Sequence, residues 1–162
     1  MTGPRFPEVV AMCGVAGSGK TTHARRLETE GYVRLSIDEE VWAHFGRHGI
    51  DYPAEEYARL SGLAEEAVRH QLMELLAAGR DVVLDLSFWS RAERERYQRL
   101  VEDAGGRWRL VFLDVPVEEL RRRLRARPVD ANGAFPITDD LLAAYLAGFE
   151  RPEGEGADVL PG

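Results

Sequence analysis

The sequence predicts an α/β fold: three layers, with a central parallel sheet of four to five strands between helices. Three observations predict it. Short apolar runs rich in β-branched residues alternate with charged segments of helical length, the signature of strand–helix–strand units. The runs are nearly continuous in hydrophobicity, as strands covered on both faces must be. Glycines stand where helical segments give way to the next apolar run, as in "AGR" at 78–80 and "AGGR" at 104–107, where helix stops belong.

Taken in order, "EVVAMC" (8–13) is the first strand and residues 20–30 the first helix. "YVRLS" (32–36) makes a second strand, and helical patterns follow at 37–46 and 54–78. "DVVLDL" (81–86) and "RWRLVFLDV" (107–115) are the third and fourth strands, with a helix over 90–104 between them. Helices are expected at 117–127 and 138–149, and a short last strand at 157–160. The stretch "RPVDANGAFPIT" (127–138) carries two prolines and an Asn-Gly pair, which predicts a mobile surface loop.

With 162 residues, 44% of them hydrophobic, the chain suits one domain over 1–162 with a single core. Its one cysteine, Cys13, lies in the first strand pattern; no disulfide framework follows, and a cytoplasmic setting is expected. No window approaches the roughly 18 apolar residues that a membrane span needs, and "MTGPRFPE" lacks the apolar core of a signal peptide. The formal net charge of −7 disfavours a long polyanionic partner unless basic residues gather on one face.

Between the first strand and first helix, "CGVAGSGKTT" (13–22) places Gly14, Gly19, Lys20 and Thr21 in the G-x-x-x-x-G-K-[ST] spacing. Strand and helix flanks are the context in which this spacing cradles phosphate. Gly14, Ala16, Gly17, Ser18 and Gly19 let backbone N–H groups turn inward, and a helix N-terminus adds its positive end. Lys20 reaches the terminal phosphates, Thr21 offers a hydroxyl to Mg²⁺, and Thr22 completes the turn. A GTPase would carry Asn-Lys-x-Asp, which is missing. A motor ATPase would set a glutamate after the strand-terminal aspartate, whereas Asp85 is followed by Leu86. A kinase then fits best, and it needs a base for the acceptor hydroxyl. Asp38, just past the second strand, is a candidate. The pair Ser36 and Glu39 forms a capping box, so Asp38 equally suits the dipole of that helix. Asp85, at the end of the third strand, is placed to serve Mg²⁺.

These residues resemble the small P-loop kinases that include gluconate kinase, chloramphenicol phosphotransferase, zeta toxins and polynucleotide kinase. The likeness rests on "GVAGSGKTTHARRL", "SIDEE", "VVLDLSFWSRAERERY", "LRRRLRARP" and "FERPEGEGADV". It implies Asp38 as general base and an arginine lid over about 117–138. Arg123 and Arg127 would clamp the transferring phosphate, and Arg91 and Arg94 match the helix after the acidic strand end. Phe149, Glu150 and Pro152 would lie by the adenine. Pro128 stands where gluconate kinase has a histidine, which counts against gluconate as acceptor.

The segment 39–66 exceeds what a crossover helix requires and is the expected acceptor insert. Within it Trp42, His44, Phe45, Arg47, His48 and Tyr52 are pocket candidates, joined by Trp89 and Arg91 further on. The expected activity is transfer of the γ-phosphate of Mg·ATP to a hydroxyl of a small molecule. A 5′-hydroxyl polynucleotide kinase and a non-catalytic nucleotide-sensing module are the alternatives.

Overall fold

The computed structural model describes residues 5–127 and 137–162. Five strands, β1 (Glu8–Cys13), β2 (Val33–Leu35), β3 (Val82–Leu84), β4 (Arg107–Leu113) and β5 (Asp158–Leu160), form one sheet. All pairings are parallel, in the order β2-β3-β1-β4-β5. Six helices connect them: α1 (Lys20–Thr29), α2 (Ile37–Phe45), α3 (Tyr57–Ala77), α4 (Arg91–Asp103), α5 (Val117–Ala126) and α6 (Asp139–Gly148).

Strand β1 is the centre of the sheet, and its sequence shows why. Val9, Ala11 and Cys13 face one layer with Val68, Leu72 and Leu76 of α3 and Tyr97 and Val101 of α4. Val10 and Met12 face the other, against Ala24 and Leu27 of α1. A strand buried on both sides has no position for a polar residue, which is why its apolar run is unbroken. Cys13 is one of these buried residues, and burial pushes its thiol up to about 11, so it serves as a small apolar side chain. A third cluster, Val115, Leu120 and Leu142 with Val15, Leu124, Ile137 and Leu146 around it, packs α5 and α6 beside the β1–α1 turn.

The helices begin and end where their local chemistry dictates. Ser36, Ser90 and Thr138 each cap a helix by accepting the N–H of the third residue on, satisfying a donor that the helix cannot. The fold thus places the C-terminal ends of β1, β2 and β3 along one edge, where ligands of open α/β sheets bind. The part of the expected loop and lid at 128–136 lies outside the described residues. No helix among those described is long and apolar enough to cross a membrane.

Candidate active site

A cleft of about 1450 Å³ opens along that edge, larger than the roughly 300–1,000 Å³ typical of one small ligand. One end is the turn between β1 and α1. Gly17 and Gly19 hold φ of +86° and +97°, a region that side chains rarely tolerate, and Gly19 is the residue from which α1 starts. A Cβ on Gly14 would come within 2.5 Å of Ser18 Oγ. Ser18 is fully buried, yet its hydroxyl has no partner among the described residues. A backbone cradle that a Cβ would fill, beside an orphaned buried hydroxyl and a helix N-terminus, fits a phosphate group.

Lys20 Nζ donates to Val15 O at 3.1 Å, across the cradle. Burial pushes the Lys20 ammonium below its ordinary pKa, opposed by Asp85 and Asp38. Arg123 on α5 donates Nη1 to Gly17 O (3.3 Å) and Ser18 O (3.4 Å), Nη2 to Gly162 O (3.2 Å) and Nε to Glu119 (3.0 Å). It therefore braces the cradle from behind, while Arg122 and Arg127 also line the cleft. Ala16, Thr21 and Thr22 line it too.

Thr21 Oγ1 donates to Asp85 Oδ2 at 2.9 Å, so a hydroxyl and a carboxylate stand together beside the cradle. That hard oxygen pair suits Mg²⁺, which takes few protein ligands and fills the rest with water and phosphate. No group of three or more His, Cys, Asp or Glu side chains that could hold a metal occurs among the described residues. Arg34 adds a feature unread in the sequence. Because Val33 and Leu35 turn to the core side, the intervening Arg34 faces Asp85 (Nε 3.0 Å, Nη2 2.9 Å) and Glu39 (Nη1 2.7 Å). Its side chain is 6% exposed, and it fixes Asp85 and the first turn of α2 together.

Across the cleft Asp38 stands exposed in the first turn of α2, near enough for its charge to act on Lys20. Tyr57 Oη donates to Asp38 Oδ1 at 2.6 Å. Burial first, then the charge and hydrogen bond of Asp38, push the Tyr57 phenol well above its ordinary value. Tyr57, Ser61 and Glu65 repeat every fourth residue along α3 and all line the cleft, flanking the buried ridge Leu60, Ala64 and Val68. Trp89 and Glu93 come from the β3–α4 side and Tyr145 from α6. The β3–α4 turn is fixed by Phe88, buried at φ +49°. Its ring meets Tyr97 and Trp108 edge-on at 5.1 and 5.9 Å, and its carbonyl accepts from Arg94 Nη1 at 2.7 Å.

The remaining candidates lie elsewhere. Trp42, Phe45, Arg47 and Tyr52 are not among the cleft's lining. Arg47 closes the turn after α2 through Asp51, Tyr52 packs edge-on to His48, and Trp42 and His44 are exposed. Arg91 pairs with Glu95 and the carbonyl of Glu153. Arg94 makes a buried pair with Glu155 (2.9 and 3.0 Å). Pro152 is not in the lining either; Leu160, Pro161 and Gly162 are. Phe149 stacks on Phe112 at 5.7 Å. Helical spacing on 54–78 could have found Tyr57, Ser61 and Glu65; nothing local marks Tyr145.

Comparison with known proteins decides the family. The AAA_33 model, described as an AAA domain, matches residues 9–152. The chain belongs to this family. Other comparisons place the AAA_33 domain among P-loop kinases. A guanylate kinase of Sphingopyxis alaskensis is 33% identical over 151 residues, which take in 82% of this chain and 63% of that protein; the chain thus spans less than two thirds of that relative. A gluconokinase from Sinorhizobium meliloti 1021 superposes with TM-score 0.62 and 27% identity over 96% of this chain and 83% of its own. A sugar kinase from Janibacter sp. HTCC2649 gives TM-score 0.66 at 22% identity, covering 95% and 84%. The domain thus has the fold of P-loop kinases, with a cradle whose chemistry suits a phosphate group.

Proposed function

We propose that the protein is an ATP-dependent kinase that transfers the γ-phosphate of Mg·ATP to a hydroxyl of a small molecule such as a sugar, nucleoside or antibiotic. One observation carries the reading: a phosphate cradle with its lysine and a tyrosine-held aspartate open onto the same cleft, which has volume for two substrates.

In this reading the cradle N–H groups and Lys20 hold the phosphates, and Arg127 faces the transferring group. Thr21 and Asp85 would hold Mg²⁺, which supplies neutralisation of phosphate charge. Asp38 accepts the proton of the acceptor hydroxyl as its oxygen bonds to phosphorus and the bond to ADP breaks. Tyr57 keeps one carboxylate oxygen occupied and leaves the other to the acceptor. Arg123 acts through the cradle it braces. A cytoplasmic setting, where ATP is plentiful, goes with this activity.

The test is ADP release from Mg·ATP against sugars, nucleosides, hydroxylated antibiotics and a 5′-hydroxyl oligonucleotide, with buffer as blank. One small molecule raising the rate well above blank is the expected result. Stimulation by the oligonucleotide alone would replace this reading with polynucleotide kinase. A flat panel with ATP bound would replace it with a nucleotide-sensing module.

A further inference from the structure

The cleft does not stop at Asp38. It runs on into an open recess of about 480 Å³ lined by Glu65, Trp89, Ser90, Ala92, Glu93 and Arg96, of which Glu65, Trp89 and Glu93 also line the main cleft. Resting on the hydroxyl-kinase reading above, we propose that the acceptor carries an ammonium group, which this recess receives between the Glu93 carboxylate and the indole of Trp89.

Charge accounting inside the recess carries the argument. Glu65 is committed: its Oε1 takes Arg96 Nη2 at 2.9 Å and Tyr97 Oη at 3.1 Å. Arg94, the other cation of α4 nearby, is turned away to Glu155 and the Phe88 carbonyl. Glu93 is left over. Ser90 accepts its backbone N–H, but its carboxylate makes no hydrogen bond or ion pair among the described residues, although the residue is half-buried. Burial and the neighbouring Glu65 push the Glu93 carboxyl above its ordinary pKa, and the weaker opposing pull of Arg96 and Arg94 offsets this only in part. A half-buried carboxylate that no protein cation pairs is open to an arriving cation, which gains more there than in bulk water.

Trp89 supplies the second half of the receptor. It is 45% exposed, and one edge of its ring lies against Gly148, where a Cβ would come within 2.8 Å of Cζ3. Its carbonyl accepts from Glu150 N at 2.7 Å. The indole is thus held from behind with surface left to the cleft, the arrangement in which an aromatic face attracts an ammonium. An anionic acceptor meets the opposite. Asp38, Glu39, Glu65 and Glu93 all line its path, and Arg34 is already consumed by Asp85 and Glu39.

The experiment measures acceptor binding by calorimetry on protein saturated with Mg·AMPPNP, using matched sets: glucose, glucosamine and gluconate, then inositol and 2-deoxystreptamine. The expected result is an amine that binds at least about tenfold tighter than its neutral partner, with gluconate weakest. Glu93→Gln should erase that preference while AMPPNP affinity, set at the other end, reports that the fold is intact. Neutral or acidic members binding as tightly as every amine, or a preference that survives Glu93→Gln, would overturn the inference. ADP release on the same compounds separates the two proposals: amine selectivity without phosphotransfer retains the ammonium receptor and removes the kinase reading.

Discussion

The two ends of the cleft are built in different ways. The phosphate end is mostly backbone, drawn from one continuous run, Gly14 to Thr21, with α5 docked behind it through Arg123 and Leu124. The end proposed for the acceptor is all side chain and comes from four helices: Asp38 on α2, Tyr57, Ser61 and Glu65 on α3, Glu93 on α4 and Tyr145 on α6, with Trp89 just before α4. Its charge is opposite as well, with Lys20, Arg122, Arg123 and Arg127 at one end and Asp38, Glu65 and Glu93 at the other. On the proposed function, the difference teaches that a backbone cradle receives the phosphates, whereas choice of acceptor is left to a tertiary assembly of side chains.

If the two ends are separable, mutations should split binding from turnover. The largest effect is expected at Asp38→Asn, which should lower turnover by about two to four orders of magnitude and leave ATP affinity, measured by calorimetry, within about twofold. Equal loss of ATP affinity would merge the two ends into one. Next comes the frame that both share. Arg94→Met strands Glu155 beside the tail, and chemical denaturation should show a loss of about 3–5 kcal/mol, as for other broken buried pairs. The same pair sets an acid limit. Burial opposes ionisation of Glu155, but hydrogen bonds and charge from Arg94 hold its pKa below the ordinary 4.5. Its contribution is complete above that value and is lost as pH falls through the folded pKa, so the stability gap between wild type and Arg94→Met should narrow as pH drops below about 4.5. A smaller effect follows from Lys20→Met, which should reduce turnover by roughly 10²–10³ and weaken nucleotide binding with it.

The same contrast governs what the sequence could reveal. The cradle is legible because its chemistry is local: a glycine spacing, a strand before it and a helix after it. The sheet is legible for a similar reason, since "VVAMC" can only be a strand buried on both faces. Asp38 and Asp85 are legible as cleft residues because each stands just past the C-terminal end of a strand. Arg34 is not, although it alternates with Val33 and Leu35, because its meaning depends on Asp85, far along the chain, and on β2 pairing with β3. Trp42, Phe45, Arg47 and Tyr52 form an aromatic and polar insert, which the sequence alone assigns to a pocket. Yet α2 ends at Phe45 and the chain turns through Asp51, so the stripe of α3 reaches the cleft and those residues do not. Pro152 shows the same limit: the tail passes the cleft later, at Leu160 to Gly162.

The smallest effect probes a contact that ties the proposed acceptor end to its base. Tyr57 Oη gives its hydrogen to Asp38 Oδ1, and burial together with the Asp38 charge keeps the phenol protonated beyond its ordinary 10.0. It is therefore a donor throughout the working range and does not itself remove the acceptor proton. Tyr57→Phe keeps the ring that His48 packs against at 5.4 Å and deletes only the O–H. Freed of that bond, Asp38 samples rotamers that turn its second oxygen from the acceptor, so kcat should fall by roughly tenfold, the worth of one hydrogen bond to a charged group. KM for ATP should be unchanged, because the cradle is untouched. A rise in KM for ATP with kcat preserved would mean that Tyr57 supports the phosphate end instead, and the division between the two ends would have to be redrawn around it.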